Sequence, residues 1–119
     1  MTDYVKTHKD DKWIAVWFYN EEEKPLAIGE KMYKINENAY MNGYNWDALF
    51  NYYLAEHAPE LLEGLESDPE AGSYAAYYPP SEENEKKAER FARIIVSLIE
   101  NEEELYRIVR ENGDEIEWD

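Results

Sequence analysis

The run Trp13-Ile14-Ala15-Val16-Trp17-Phe18-Tyr19 constrains the fold more than any other stretch of the chain. In an extended strand Trp13, Ala15, Trp17 and Tyr19 point one way and Ile14, Val16 and Phe18 the other. Both faces are apolar, which suits a strand inside a sheet covered, at least in part, on both sides. "NEEEKP" at 20–25 reads as a turn, and "LAIGEKMYKI" at 26–35 is expected to hold a second strand, with Gly29 marking a bulge or bend. The opening unit predicted is a β-hairpin.

Helical rhythm begins later. Asn45 is the expected N-cap of a helix starting at Trp46, whose Leu49, Phe50, Tyr53 and Leu54 continue one buried stripe. Asn42-Gly43 supplies turn chemistry before it. Pro59 interrupts the helix, "PELLEGL" forms a further helical turn, and "ESDPEAG" at 66–72 reads as a loop. "SYAAYY" at 73–78 is the third strand, stopped by Pro79-Pro80. Ser81 caps a long helix over about 82–100, with Ala88, Phe91, Ala92, Ile95, Leu98 and Ile99 facing inward. Asn101 and Glu104 have capping-box spacing for a last helix, which ends at Asn112-Gly113, and "DEIEW" alternates as a short final strand would. The order ββ, α, β, αα, β predicts an α+β fold with a mainly antiparallel sheet packed by helices. One domain over 1–119 is expected, with the polar residues 1–11 a flexible or loosely attached segment.

Charge narrows the function classes. The net charge is −16, and no Lys or Arg occurs between Lys34 and Lys86, a span that holds eleven carboxylates. Nucleic-acid backbones and anionic membranes both require clustered cations, so neither is an expected partner. A basic protein is, because long-range attraction would speed the encounter. The chain has no Cys, which excludes disulfides, thiolate metal sites and thiol nucleophiles. Its 15% aromatic content, with eleven Tyr and four Trp, is that of a folded protein rather than an acidic tail. No segment approaches the roughly 18 apolar residues of a membrane span, and the N-terminus lacks an apolar signal-peptide region, so a cytoplasmic location is expected.

Catalysis finds no sequence support. The carboxylates lie mostly in runs such as 21–23 and 102–104, which are ordinarily solvated, and no pair stands out for acid–base work. His8 lies in the polar N-terminal segment, and His57 ends the aromatic helix beside Glu56 without zinc-type ligand spacing. No phosphate-loop, dinucleotide, nucleophile-elbow or zincin motif occurs, so neither metal nor cofactor is expected. Trp13, Trp17, Phe50, Tyr53 and Phe91 sit on periodic apolar faces and read as core. Tyr40, Tyr44, Tyr52, Tyr77 and Tyr78 lie in loops, near prolines or off the helix stripe, where a contact surface would use them.

Three segments carry a family likeness: "AYMNGYNWDALFNYYL" at 39–54, "LLEGLESDPEAGSYAAYY" at 61–78 and "ENEEELYRIVRENGDEIEW" at 100–118. They resemble immunity proteins of bacterial polymorphic toxin systems, and most closely the immunity family numbered fifty-one. The resemblance implies binding and neutralising a cognate toxin domain, with no catalysis and no cofactor, and it assigns no contact residues. Those are taken from the charge and loop pattern instead. The expected partner-binding set is Glu37, Tyr40, Tyr44, Asp47, Glu66, Asp68 and Glu70, from the loops that bracket the first helix. An acidic adaptor for another basic partner would use the same surface. An enzyme acting on a cationic small molecule would need two or more buried carboxylates in a deep pocket. Oligomeric state is left open.

Overall fold

A computed structural model describes residues 2–119. In chain order the elements are β1 (Val5–Lys9), β2 (Ile14–Phe18), α1 (Glu23–Ile35), α2 (Gly43–His57), a 3₁₀ turn (Pro59–Leu62), β3 (Glu66–Ser67), β4 (Tyr74–Tyr78), α3 (Glu82–Glu100), α4 (Glu102–Glu111) and a second 3₁₀ turn (Gly113–Glu115). The strands form one sheet in the order β1-β2-β4-β3, with every neighbouring pair antiparallel. The fold is α+β, as expected.

The hairpin is built from different residues than expected. Residues 5–9, assigned to a loose segment, pair with β2 in the register Val5↔Phe18 to Lys9↔Ile14. The turn between them is closed by Asp10, whose Oδ1 accepts from Lys12 N at 2.8 Å and Trp13 N at 2.9 Å. Tyr4 and Val5 are buried, and the Tyr4 hydroxyl donates to Glu100 on α3, which ties this segment down. The region 26–35 is helix, not strand. Pro25, Ile28, Gly29 and Met32 recur at helical spacing and form the buried side of α1. Gly29 is there for close approach rather than for a bulge, since a Cβ would stand 3.0 Å from Met41 Cβ.

Alternation along β2 divides the sheet into unlike faces. Ile14, Val16 and Phe18 join Val5, Tyr74, Ala76 and Tyr78 beneath the helices. Here Phe18, Trp46, Phe50, Tyr74 and Phe91 pack together, edge-on except for the tilted Trp46–Phe50 pair, with centroids 5.0 Å apart for Phe18–Trp46 and 5.7 Å for Phe50–Phe91. Such pairs contribute about 0.5–1.5 kcal/mol each beyond burial of their area. Among the described residues, no helix covers the opposite face. Trp17 stacks on His8 at 5.4 Å and Trp13 meets Tyr77 at 5.9 Å, so these aromatics shield the otherwise open Ala15. Trp13, expected in the core, is exposed, and Trp17 is half-buried.

Of the remaining expectations, β4 and α3 appear where periodicity puts them, and Ser81 Oγ accepts from Asn84 N as the cap. Tyr78, expected at a contact surface, is fully buried, and its hydroxyl donates to Leu61 O at 2.6 Å. The expected capping box is not formed: Asn101 makes no side-chain cap bond, its N–H donates to Ser97 O, and Glu104 turns to Arg107. The expected final strand is the second 3₁₀ turn followed by a tail that lies along α2, with Ile116 buried and Trp118 Nε1 donating to Gly113 O. Part of the expected 66–72 loop pairs with β4 as β3, at Glu66↔Tyr77 and Ser67↔Ala76.

Candidate functional site

Three connections meet at the start of α2. Ala71 O, in the β3–β4 connection, accepts from Gly43 N at 3.0 Å and from Asn20 Nδ2 at 3.3 Å. Gly43 is required at this junction, because a Cβ there would overlap the backbone oxygens of Glu70 and Ser73. This close fit lets α2 begin earlier than expected. Asn42, not Asn45, is its cap and accepts from Asn45 N at 2.9 Å. Asn45 is buried and does a different job. Its Nδ2 donates to Tyr40 O and its Oδ1 accepts from Asp119 N, both at 2.7 Å. One side chain therefore holds both the α1–α2 connection and the C-terminal tail.

The seven expected contact residues are distributed around this junction rather than gathered into one pocket. Tyr40, 65% exposed, lines a groove of about 520 Å³ with Glu21, Leu26, Glu30, Tyr33 and Met41. Tyr44 and Asp47 line a second groove, of about 480 Å³, with Tyr52, Glu115, Glu117 and Asp119. Glu66 and Asp68 lie in a third, also about 480 Å³, beside Trp13 and Tyr77 on the helix-free face of the sheet. Glu37, just beyond α1, and Glu70, in the β3–β4 connection, are exposed between these grooves in sequence. Sequence reading missed the acidic tail residues Glu115, Glu117 and Asp119, whose neighbour Asp47 is remote in the chain. It also missed Tyr33 and Leu26, which had been placed on a strand. The usable signal for those two was the Pro25, Ile28, Met32 spacing, which leaves Leu26 and Tyr33 on the opposite, solvent side of a helix.

The cations are disposed unevenly around these acids. Lys9 pairs with Glu85 at 2.6 Å, Lys24 with Glu100 at 2.9 Å and Lys31 with Glu102 at 3.7 Å. Lys87 pairs with Glu63 at 3.9 Å, Arg90 with Glu60 at 2.9 Å, and Arg107 with Glu104 and Glu111. The cation-free span is thus partly neutralised in three dimensions, at Glu60, Glu63 and Glu85. These partly exposed pairs contribute little to stability individually. Their importance is where they are not. Among the described residues, no ion pair includes Glu21, Glu30, Glu37, Asp47, Glu66, Asp68, Glu70, Glu115, Glu117 or Asp119. Burial raises the pKa of Asp47, a hydrogen bond with Ser67 partly opposing it, and its Oδ1 is buried without a partner. The Tyr52 phenol is also raised, by burial first and then by Glu115 and Glu56.

Among the described residues no Asp or Glu is fully buried. No group of three or more His, Asp or Glu among them is arranged to hold a metal ion. His8 is engaged with Trp17 and lies 3.6 Å from Asp10, while His57 stacks on Tyr53 at 4.4 Å. No helix among the described residues is long and apolar enough to cross a membrane.

Comparison with known proteins adds a family. No curated protein and no solved structure matches the chain. The family model described as immunity protein 51 matches residues 6–114, which takes in the four α-helices and the four strands but for Val5, the first residue of β1. The chain therefore belongs to the immunity protein 51 family.

Proposed function

We propose that this protein neutralises a cognate toxin domain by binding it through the acidic, Tyr-rich face around the start of α2. Family membership supports a toxin-immunity role. One observation carries the choice of face: carboxylates without an ion pair also occur elsewhere, Glu82, Glu83 and Glu103 among them, but those at 21, 30, 47, 115, 117 and 119 line grooves together with the exposed Tyr40 and Tyr44. A basic toxin surface would supply the missing charge, and Tyr40 and Tyr44, both exposed, offer rigid apolar area beside it. Toxins that hold nucleic-acid phosphates are basic at that site, so carboxylates presented there would occupy the place of phosphate. The mechanism is occlusion, and it calls on no catalytic step or cofactor.

The test is inhibition of the toxin domain encoded beside this gene. Purified protein is titrated into the toxin and the toxin's activity is followed to stoichiometric excess. Loss of activity at a fixed ratio supports the reading. Full toxin activity at excess protein, with no complex on size-exclusion chromatography, overturns it.

A further inference from the structure

The groove beside Tyr40 sets three exposed apolar side chains among unpaired carboxylates, where the other two grooves have one each, Tyr44 and Trp13. Leu26 is 44% exposed, Tyr33 48% and Tyr40 65%, and all three line it. The rings of Tyr33 and Tyr40 meet at 77° with centroids 6.0 Å apart, so together they form a corner that presents one ring face and one ring edge. Glu21 and Glu30 flank this corner, Lys34 stands at its side, and Met41 contributes to its wall. Neither Glu21 nor Glu30 has an ion-pair partner among the described residues.

Asn20 is the second, independent observation. It is 2% exposed, lines the same groove, and donates through Nδ2 to Ala71 O. That bond fixes which way the amide faces, and it leaves Oδ1 buried with no donor. Buried acceptors are ordinarily paired, so this oxygen stands ready for a donor.

From this geometry we infer that the groove between α1 and the α1–α2 connection is the seat of an arginine side chain supplied by the toxin. This rests on the toxin-binding reading above and names the partner's anchoring group. The aliphatic stem of arginine lies against Leu26 and Met41, its guanidinium stacks on the tyrosine corner, and its N–H groups reach the Glu21 and Glu30 carboxylates. Asn20 Oδ1 receives a further N–H once the side chains over it part. Lysine fits less well, because its compact ammonium cannot stack and its donors do not fan out in a plane. Arginine and tyrosine are also the residue types enriched among the few positions that carry most interface energy.

Two measurements test the inference separately from the immunity reading. In the first, amide chemical shifts of the isolated protein are followed while Nα-acetyl-arginine amide is added, with the citrulline analogue as a neutral isostere. Saturable shifts centred on Asn20, Tyr33 and Tyr40 with arginine, and not with citrulline, are expected. Equal responses to both compounds, no response, or shifts centred on Asp47 and Glu115 overturn the assignment. In the second, Tyr33→Ala combined with Glu30→Gln, both at exposed positions, is titrated against the toxin domain. A loss of affinity of about 30-fold is expected for removing an anchor of this kind. Wild-type affinity in the double variant overturns the arginine seat while leaving immunity intact. Absence of binding by the wild-type protein overturns the immunity reading, and the arginine titration then decides the groove on its own.

Discussion

Gly43→Ala probes the junction on which the candidate surface depends. The added methyl has nowhere to go: it would overlap Glu70 O and Ser73 O, and those are backbone atoms, not the ends of flexible side chains. Relief requires the β3–β4 connection to move off α2. That movement breaks Gly43 N–Ala71 O at 3.0 Å and strains Glu70 N–Ser73 O at 2.8 Å. Overpacking costs about 1–3 kcal/mol and a lost hydrogen bond about 0.5–1.5 kcal/mol. Alanine's better helix propensity returns less than about 1 kcal/mol at a first helical position. The net expectation is about 2–3 kcal/mol of destabilisation, or a fall in Tm of about 10 °C for a chain of this size. Urea denaturation with a two-state fit measures it, and an unchanged m-value confirms that the two states being compared are the same. A Gly43→Ala midpoint equal to wild type would refute the reasoning, since it would mean the connection is free to shift and holds no fixed surface.

Other substitutions separate charge from structure. Asp68→Lys with Glu70→Lys reverses two unpaired charges at exposed positions and should slow toxin association by about tenfold or more at low salt while leaving Tm nearly unchanged; stopped-flow kinetics would show it. Asp47 has a pKa raised by burial, so the fold binds its proton more tightly than the unfolded chain does, and stability is lost as pH rises from the ordinary carboxylate range through the raised value. Asp47→Asn should therefore raise the urea midpoint at neutral pH, and the gain should vanish at about pH 3, where both states are protonated. Asn45→Ala removes the bonds to Tyr40 O and Asp119 N and should cost about 2–3 kcal/mol; hydrogen exchange should quicken in the tail as well as in the α1–α2 connection.

The elements legible in the sequence are those whose local pattern has one interpretation. β2, β4 and α3 have clear periodicity and clear ends, and Ser81 caps where a serine before an acidic turn should. The error at α1 has a physical source. Leu26, Tyr33 and Ile35 are apolar yet exposed, so they blurred the helical stripe of Ile28 and Met32 into apparent alternation. Two of those exposed residues line the groove assigned to arginine, which is where a surface kept for a partner should depart from simple patterning. The two apolar faces of β2 were read correctly but not their fates. Aromatic neighbours, rather than a second layer of helices, cover Ala15, and no local pattern distinguishes the two. The acidic groove at Asp47 depends on a tail more than sixty residues away, held by one buried asparagine, and chain-local reasoning has no access to such a contact.

On the proposed reading, carboxylates without internal counter-charges bind the toxin. Calorimetric titration against the cognate toxin domain at low and at physiological ionic strength tests it most directly. Tight binding is expected, weakening at least tenfold as the Debye length contracts from about 30 Å at 0.01 M salt to about 8 Å at 0.15 M. Tight binding of equal strength at both salt concentrations would contradict it, since the interface would then owe its affinity to apolar contact and not to the unpaired acids around α2.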